Sequence, residues 1–360
     1  MSDYTEQAQI IKQHAEDLKN YWKTRDAQMI LDREIINLVK PEETSAKIDW
    51  MSNEPKVFFD TSRALISLYP PRFRHPISIN YAPEEKERMN KAERLDIGIF
   101  RSLDRRTFDT GGGSWLWELA YWVLLGWYSI FNIVVDGQDG PEFVADIYDP
   151  LTVFPQWDAS GLIRCIRIYE VDRITAIAMA DEFMKKGLEF DFKEPGKADA
   201  KPQVINYWEC LRSRNKKVVK NAILIAGQVV KPLTIQRKLN RIPIQIGSIG
   251  SPDRISPNWE MRKGESIIAA NRDAYEYLNS MISLMATITA ATAFPELIEK
   301  TISGREAYKA EDFKGYGGKK TYKLNETIDI LKHAATPQEV NILMSYWGQQ
   351  VQKASVPNSV

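Results

Sequence analysis

Apolar residues at Ala8, Ile11, Ala15, Leu18, Trp22, Met29 and Ile36 recur at steps that keep to one side of a helix. Residues 4–38 are therefore predicted to form one long or two consecutive amphipathic helices. Residues 58–68 are apolar enough to bury another helix, which Pro70-Pro71 must stop. A charged helix is predicted from Pro83 to about Arg106, since proline is tolerated in a first turn and Glu84 and Glu85 there complement the helix dipole.

Gly111, Gly112, Gly113 and Ser114 form a break, after which WLWELAYWVLLGWYSIF reads as a buried helix running into a strand. From Phe131 the pattern becomes that of strands. FNIVVDGQDGPEFVADIYD predicts two strands around a glycine turn, and LTVFPQWDASGLIRCIRIYEV adds a turn at residues 158–161 and a further strand. Residues 203–210, 217–226 and 228–236 follow as strands, with a polar stretch at 190–201 before them. The first 260 residues thus predict helices with a mostly antiparallel β element, an α+β layout.

Residues 247–265 are rich in Pro, Gly and Ser and are expected to be an irregular linker. Residues 265–293 contain neither Pro nor Gly, which as one helix would reach about 43 Å, and Pro295 ends the run. Residues 296–331 have room for a small helix and a strand or two. Thr336-Pro337-Gln338-Glu339 is a capping box with proline at the first helical position, and Val340, Leu343, Met344, Trp347, Val351 and Ala354 give the helix it opens one apolar face.

Composition narrows the function classes. Forty-eight basic residues balance 48 acidic ones, so no whole-molecule field steers the chain onto DNA or an anionic membrane, and any nucleic-acid contact must be local. The balance hides an asymmetry: residues 136–199 hold fourteen acids against seven bases, whereas 201–263 hold thirteen bases against three acids. Such patches suit side-to-side meeting of copies. Cys165 and Cys210 offer neither a disulfide framework nor a zinc spacing, which points to a reduced intracellular chain. His14, His75 and His333 form no metal motif. The N-terminus lacks a secretory signal, and the apolar stretches at 115–131 and 277–294 read as core helices rather than bilayer spans.

GYGGKKT at residues 315–321 places glycines beside lysine but fails the P-loop register, and it reads as a loop with exposed lysines. No GxSxG elbow or GxGxxG register occurs. The expectation is a non-enzyme, with no catalytic residue, cofactor or metal. A metal-dependent nucleic-acid-processing enzyme using Asp146 and Asp149 is the alternative, and a membrane-associated protein using the tryptophan-rich helix is a third reading. The long helix carries Ser280, Ser283, Ala286, Thr287, Ala290 and Ala291 at three- and four-residue steps, a small-residue stripe that lets another helix approach closely. One chain would bury that uncharged end poorly, whereas copies repeated about an axis would bury it well.

The string LLGWYSIFNIVVDGQDGPEFVADIYDPLTVFPQWDASGLIRCIRIYEV resembles the wing of tailed-bacteriophage portal proteins, the head-to-tail connectors. KVFFDTSRALISLYPP resembles their early segment, and the order long helix, small insert, Thr-Pro-capped helix, Val-Pro resembles stem, clip and second stem helix. The likeness runs from about Asn53 to Val360 and rests on the order of loose motifs. It implies an elongated α+β subunit with a mixed helical and antiparallel-β wing (1–262), a first stem helix (263–294), a small α/β clip (295–332), and a second stem helix with the start of a tunnel loop (333–360). In the family another helix and more wing or crown follow that loop, whereas this sequence stops at Val360.

The resemblance further implies a ring, usually of twelve copies, at one capsid vertex. Through it a separate terminase motor drives double-stranded DNA, which the ring then retains and later releases. Implied partners are other copies of the chain, non-specifically held DNA, the terminase large subunit, the major capsid or scaffold protein, and neck or tail adaptors, with no membrane. The location would be the virion, and the host cytoplasm during assembly. Candidate DNA-channel residues are Lys353, Asn358, Arg262, Lys263 and Arg272, while Lys314, Lys319, Lys320 and Lys323 are clip candidates for binding the motor or adaptor.

Overall fold

The computed structural model describes residues 2–39, 51–68, 82–137, 140–159, 161–185, 201–213, 216–249, 263–293, 297–301, 319–323 and 327–330, with isolated positions 342, 345, 346 and 349. Two helices open the chain, α1 (Ser2–Tyr21) and α2 (Lys23–Ile36), followed by α3 (Glu54–Ser67), α4 (Pro83–Asp109) and α5 (Trp115–Leu124). The apolar stripe read from the sequence is the buried one: Ala8, Ile11, Ala15, Trp22, Met29 and Ile36 are each no more than 8% exposed. The strands β1 (Trp127–Gly137), β2 (Gly140–Ile147), β3 (Val153–Asp158) and β4 (Gly161–Glu170) lead to helix α6 (Arg173–Lys185). Then come β5 (Gln203–Ser213), β6 (Lys216–Ile225), β7 (Gln228–Ile235) and β8 (Ile244–Ser248). Helix α7 (Arg272–Ala293) precedes three short strands, β9 (Leu297–Thr301), β10 (Lys319–Lys323) and β11 (Thr327–Ile330).

By internal contacts the chain divides into two units, Met1–Leu31 with Thr61–Ile267, and Asp32–Asp60 with Ile268–Val360.

In the first unit an antiparallel sheet runs in the order β3-β4-β5-β6-β7, and a second in the order β2-β1-β8. Alternation along β5 sets the layers. Ile205 and Tyr207 join Ile166, Ala222 and Leu224 under α1, where Ala8, Ile11 and Ala15 cover them. The opposite face is shared. Val204 packs with Ala176 and Ala180 of α6, while Trp208 and Cys210 pack with Ile242, Ile244 and Phe131. Gly126 (φ +94°) and Gly264 (φ +79°) meet between α5 and β1: a Cβ on Gly126 would strike the Gly264 carbonyl, and one on Gly264 would strike the Trp127 indole. Only glycine allows both that backbone angle and that approach.

The second unit is described chiefly by α7 and a three-stranded sheet in the order β10-β9-β11, with β9 parallel to β10 and antiparallel to β11.

Three expectations change. The long helix starts at Arg272 instead of residue 265, because the preceding residues are committed elsewhere: the Trp127 Nε1–H donates to the Lys263 carbonyl and the Ile267 N–H to the Leu124 carbonyl. Its 22 residues span about 33 Å. Residues 319–321, read as part of a loop, belong to strand β10. The region before β5 contains α6, which the apolar pattern did not reveal. The capping box at 336–339 lies outside the described residues, and of residues 296–331, where a small helix and a strand or two are expected, only the strands at 297–301, 319–323 and 327–330 are described.

Candidate assembly and nucleic-acid surfaces

Helix α7 is buried along one line only. Asn271, just before its first residue, and Tyr275, Leu278 and Ser283 are 1–6% exposed, whereas Tyr277 is 62% and Leu284 55% exposed. Its start is locked within the second unit. Arg272 forks onto the carboxylate of Asp32, Nε–Oδ1 2.7 Å and Nη2–Oδ2 3.0 Å, and the Ser52 N–H donates to Asn279 Oδ1 at 2.9 Å. From Tyr277 to Ala293 the helix carries no charge.

The predicted small-residue stripe is only partly covered. Ser283 is buried, and its carbonyl accepts the Thr287 hydroxyl at 2.8 Å, which satisfies a polar group on an apolar helix. Ser280 is exposed, while Ala286, Thr287 and Ala290 are half-buried.

The DNA candidates separate. Arg272 carries Asp32 on its guanidinium, and the pair is largely withdrawn from water, with side-chain exposures of 19% and 2%. That arrangement holds the start of α7. Lys263 is half-buried in the turn below Trp127. Lys319, Lys320 and Lys323 lie on β10, whose backbone pairs with β9 at Leu297, Ile298 and Thr301. Arg262, Lys314, Lys353, Asn358 and Ala291's side chain lie outside what is described.

The carboxylates considered for metal chemistry have structural partners. Asp149 accepts the Leu151 N–H at 2.9 Å and caps the 3-10 turn Pro150–Thr152, and Asp146 accepts from Arg106 Nε at 3.3 Å. Among the described residues no group of three or more His, Cys, Asp and Glu side chains is placed to hold a metal ion. In the tryptophan-rich α5, Trp115 donates Nε1–H to the Ala145 carbonyl, and Arg63 lies 4.1 Å over Trp117. No described helix is long and apolar enough to cross a membrane.

Two polar constellations escaped the sequence reading. Across β3 to β6 the register aligns Gln156, Arg164, Glu209 and Lys220 in one row. Arg164 donates to Gln156 Oε1 and to the Tyr207 hydroxyl, both at 2.9 Å, and Tyr207 donates to Glu209 at 3.0 Å. Burial first, with Glu209 adding, pushes the Tyr207 phenol up to about 12, so it stays protonated and donates. His14 of α1 meets the same hydroxyl at 3.3 Å. A row of alternating charge at matched β positions is the signal that would have found it.

The second is Arg25, 6% exposed, whose guanidinium lies 4.9 Å from Trp22, 5.4 Å from Trp127 and 5.7 Å from Phe154 while donating to the Val153 carbonyl and pairing with Asp26. Burial lowers its pKa, and Asp26 opposes the shift. Aromatic faces and a neighbouring carboxylate together make a buried cation tolerable. In both constellations each named side chain has at least one partner within its own group, an arrangement that serves packing.

No protein-family model matches the chain, and no curated protein is measurably similar to it.

Proposed function

We propose that the chain is the subunit of a portal-type ring, a conduit for double-stranded DNA at a capsid vertex. The observation that carries this reading is α7. A 22-residue helix without charge from Tyr277 onward leaves Tyr277 and Leu284 exposed and leads into a small separate sheet, β9 to β11. Beyond that sheet, positions 342, 345, 346 and 349 are helical and exposed, Ile342 at 70% and Tyr346 at 54%. Apolar helix surface uncovered in one copy is what lateral assembly covers.

In this reading the α+β block of the first unit is the wing, α7 the first stem helix, the three-stranded sheet the clip, and the helical positions at 342–349 part of the second stem helix. The absence of net charge suits the task. A duplex that must slide requires loose contact, and a single lysine per copy becomes a ring of charges on assembly. Contacts at phosphate level without base-edge readout follow. Lys353 and Asn358 are the channel candidates, with Arg262 and Lys263 nearer the wing. Lys314, Lys319, Lys320 and Lys323 are the candidates for binding the terminase or an adaptor. Capsid or scaffold protein would meet the wing.

Negative-stain electron microscopy of the purified chain tests the proposal. Discrete rings with a central opening wide enough for duplex DNA are expected. Particles without an opening would refute it.

A further inference from the structure

Strand β1 outruns its neighbour β8. Their ladder pairs Trp127 to Phe131 with Ser248 to Ile244, and the next pair is only half made. The Asn132 N–H donates to the Pro243 carbonyl at 2.8 Å, but proline has no N–H to return to the Asn132 carbonyl. Pro243 therefore ends the ladder while β1 continues to Gly137, paired on its other side by β2. Because backbone groups alternate in direction along a strand, Val134 presents its N–H and C=O on the same open edge as Asn132.

A groove of about 600 Å³ lies beside that edge. Val134 (60% exposed), Ile235 (58% exposed) and Phe143 supply apolar surface, and Arg237, Lys238 and Arg241 supply charge. Among the described residues no acidic one lines it. The basic segment is anchored: the Gln236 N–H donates to the Val219 carbonyl at 2.8 Å, the Leu239 N–H to the Gln236 carbonyl at 3.1 Å, and Leu239 packs on the core. The outer strands of the larger sheet contrast with this edge, because each carries a proline that blunts it, Pro155 in β3 and Pro232 in β7.

We propose that the open edge of β1 is a docking site for an extended acidic segment of a partner protein, added as a strand beside β1 from Val134 onward. Main-chain hydrogen bonds fix the segment, alternate apolar side chains rest on Val134 and Ile235, and carboxylates on the other positions meet Arg237 and Arg241. Arg237, Lys238 and Arg241 in the described lining, with no acid among it, select that charge. This inference stands apart from the portal reading.

The test is fluorescence anisotropy of a labelled peptide of alternating Glu and Val, titrated with the full chain. Saturable binding is expected, weakened about tenfold or more when Arg237→Glu and Arg241→Glu are combined. It should be lost when the peptide's central amides are N-methylated and absent for a Lys-Val peptide. The N-methylated arm uses unaltered protein, so a folding defect in the double variant cannot mimic the result. No binding, or equal binding by the N-methylated peptide, would overturn the proposal. Self-association that the double variant abolishes, without peptide binding, would put a second copy at the edge and overturn it as well.

Discussion

Arg272 grips Asp32 across 240 residues of sequence, and the two hydrogen bonds between them, 2.7 and 3.0 Å, fix the first turn of α7 to the end of α2 within one unit. Asp32 is almost fully buried, so removing one partner strands the other charge. Asp32→Ala is expected to destabilise by about 3–5 kcal/mol. Replacing both residues with apolar ones of similar volume should cost much less than either single change. Denaturant titrations of the two single variants and the double variant check this. A double-variant loss equal to the sum of the two single losses would mean that the pair carries no coupling.

Gly264→Ala is expected to cost more than about 1 kcal/mol, since its φ of +79° is strained for any other residue. Displacement of the Trp127 indole adds to that cost. Because Trp127 packs edge-on to Trp22 and lies beside Arg25, tryptophan fluorescence should shift together with stability. Gly98→Ala, where a Cβ meets nothing within 4 Å, is the control and should be neutral or stabilising. Thermal melts read both variants.

The pH dependence follows from His14. Burial, reinforced by the Arg164 charge, lowers its pKa below 6.5, so the folded chain resists a proton that the unfolded chain accepts. Its contribution is present in full above pH 6.5 and is lost as pH falls from there toward the lowered folded value. Urea midpoints measured from pH 7.5 down to 5 should therefore fall more steeply for the parent than for His14→Asn. Parallel curves for the two chains would contradict the assignment.

Cys165 is fully buried and Cys210 is 7% exposed. Burial pushes the Cys165 thiol up, although the Arg25 charge opposes it, and a thiol without thiolate character is inert. A thiol reagent should label neither cysteine in the native chain and both in denaturant. Rapid native labelling would place one of them at an accessible surface.

The strands and amphipathic helices were legible because their periods are local. Alternation in β4 and β5 gives the two faces of the larger sheet, and the α1 stripe gives the face that covers it. Helix α6 was hidden: Ile174, Ala176, Ile177, Met179 and Ala180 spread apolar groups around much of its circumference, leaving no clear face. Its start did carry a readable signal, Asp172 accepting the Thr175 N–H at 2.9 Å as a helix cap. Strand β8 has five residues and adjoins a Pro/Gly-rich stretch, too short for a period to stand out. The fate of Arg272 was not legible at all, since no periodicity links it to Asp32.

Sedimentation velocity of the full chain at rising concentration bears most directly on whether the exposed surface of α7 belongs between copies. One discrete closed oligomer, its mass an integer multiple of 41.3 kDa, is expected, with Leu284→Glu shifting it to smaller species. A chain that stays monomeric at every concentration, unaffected by Leu284→Glu, would contradict the ring.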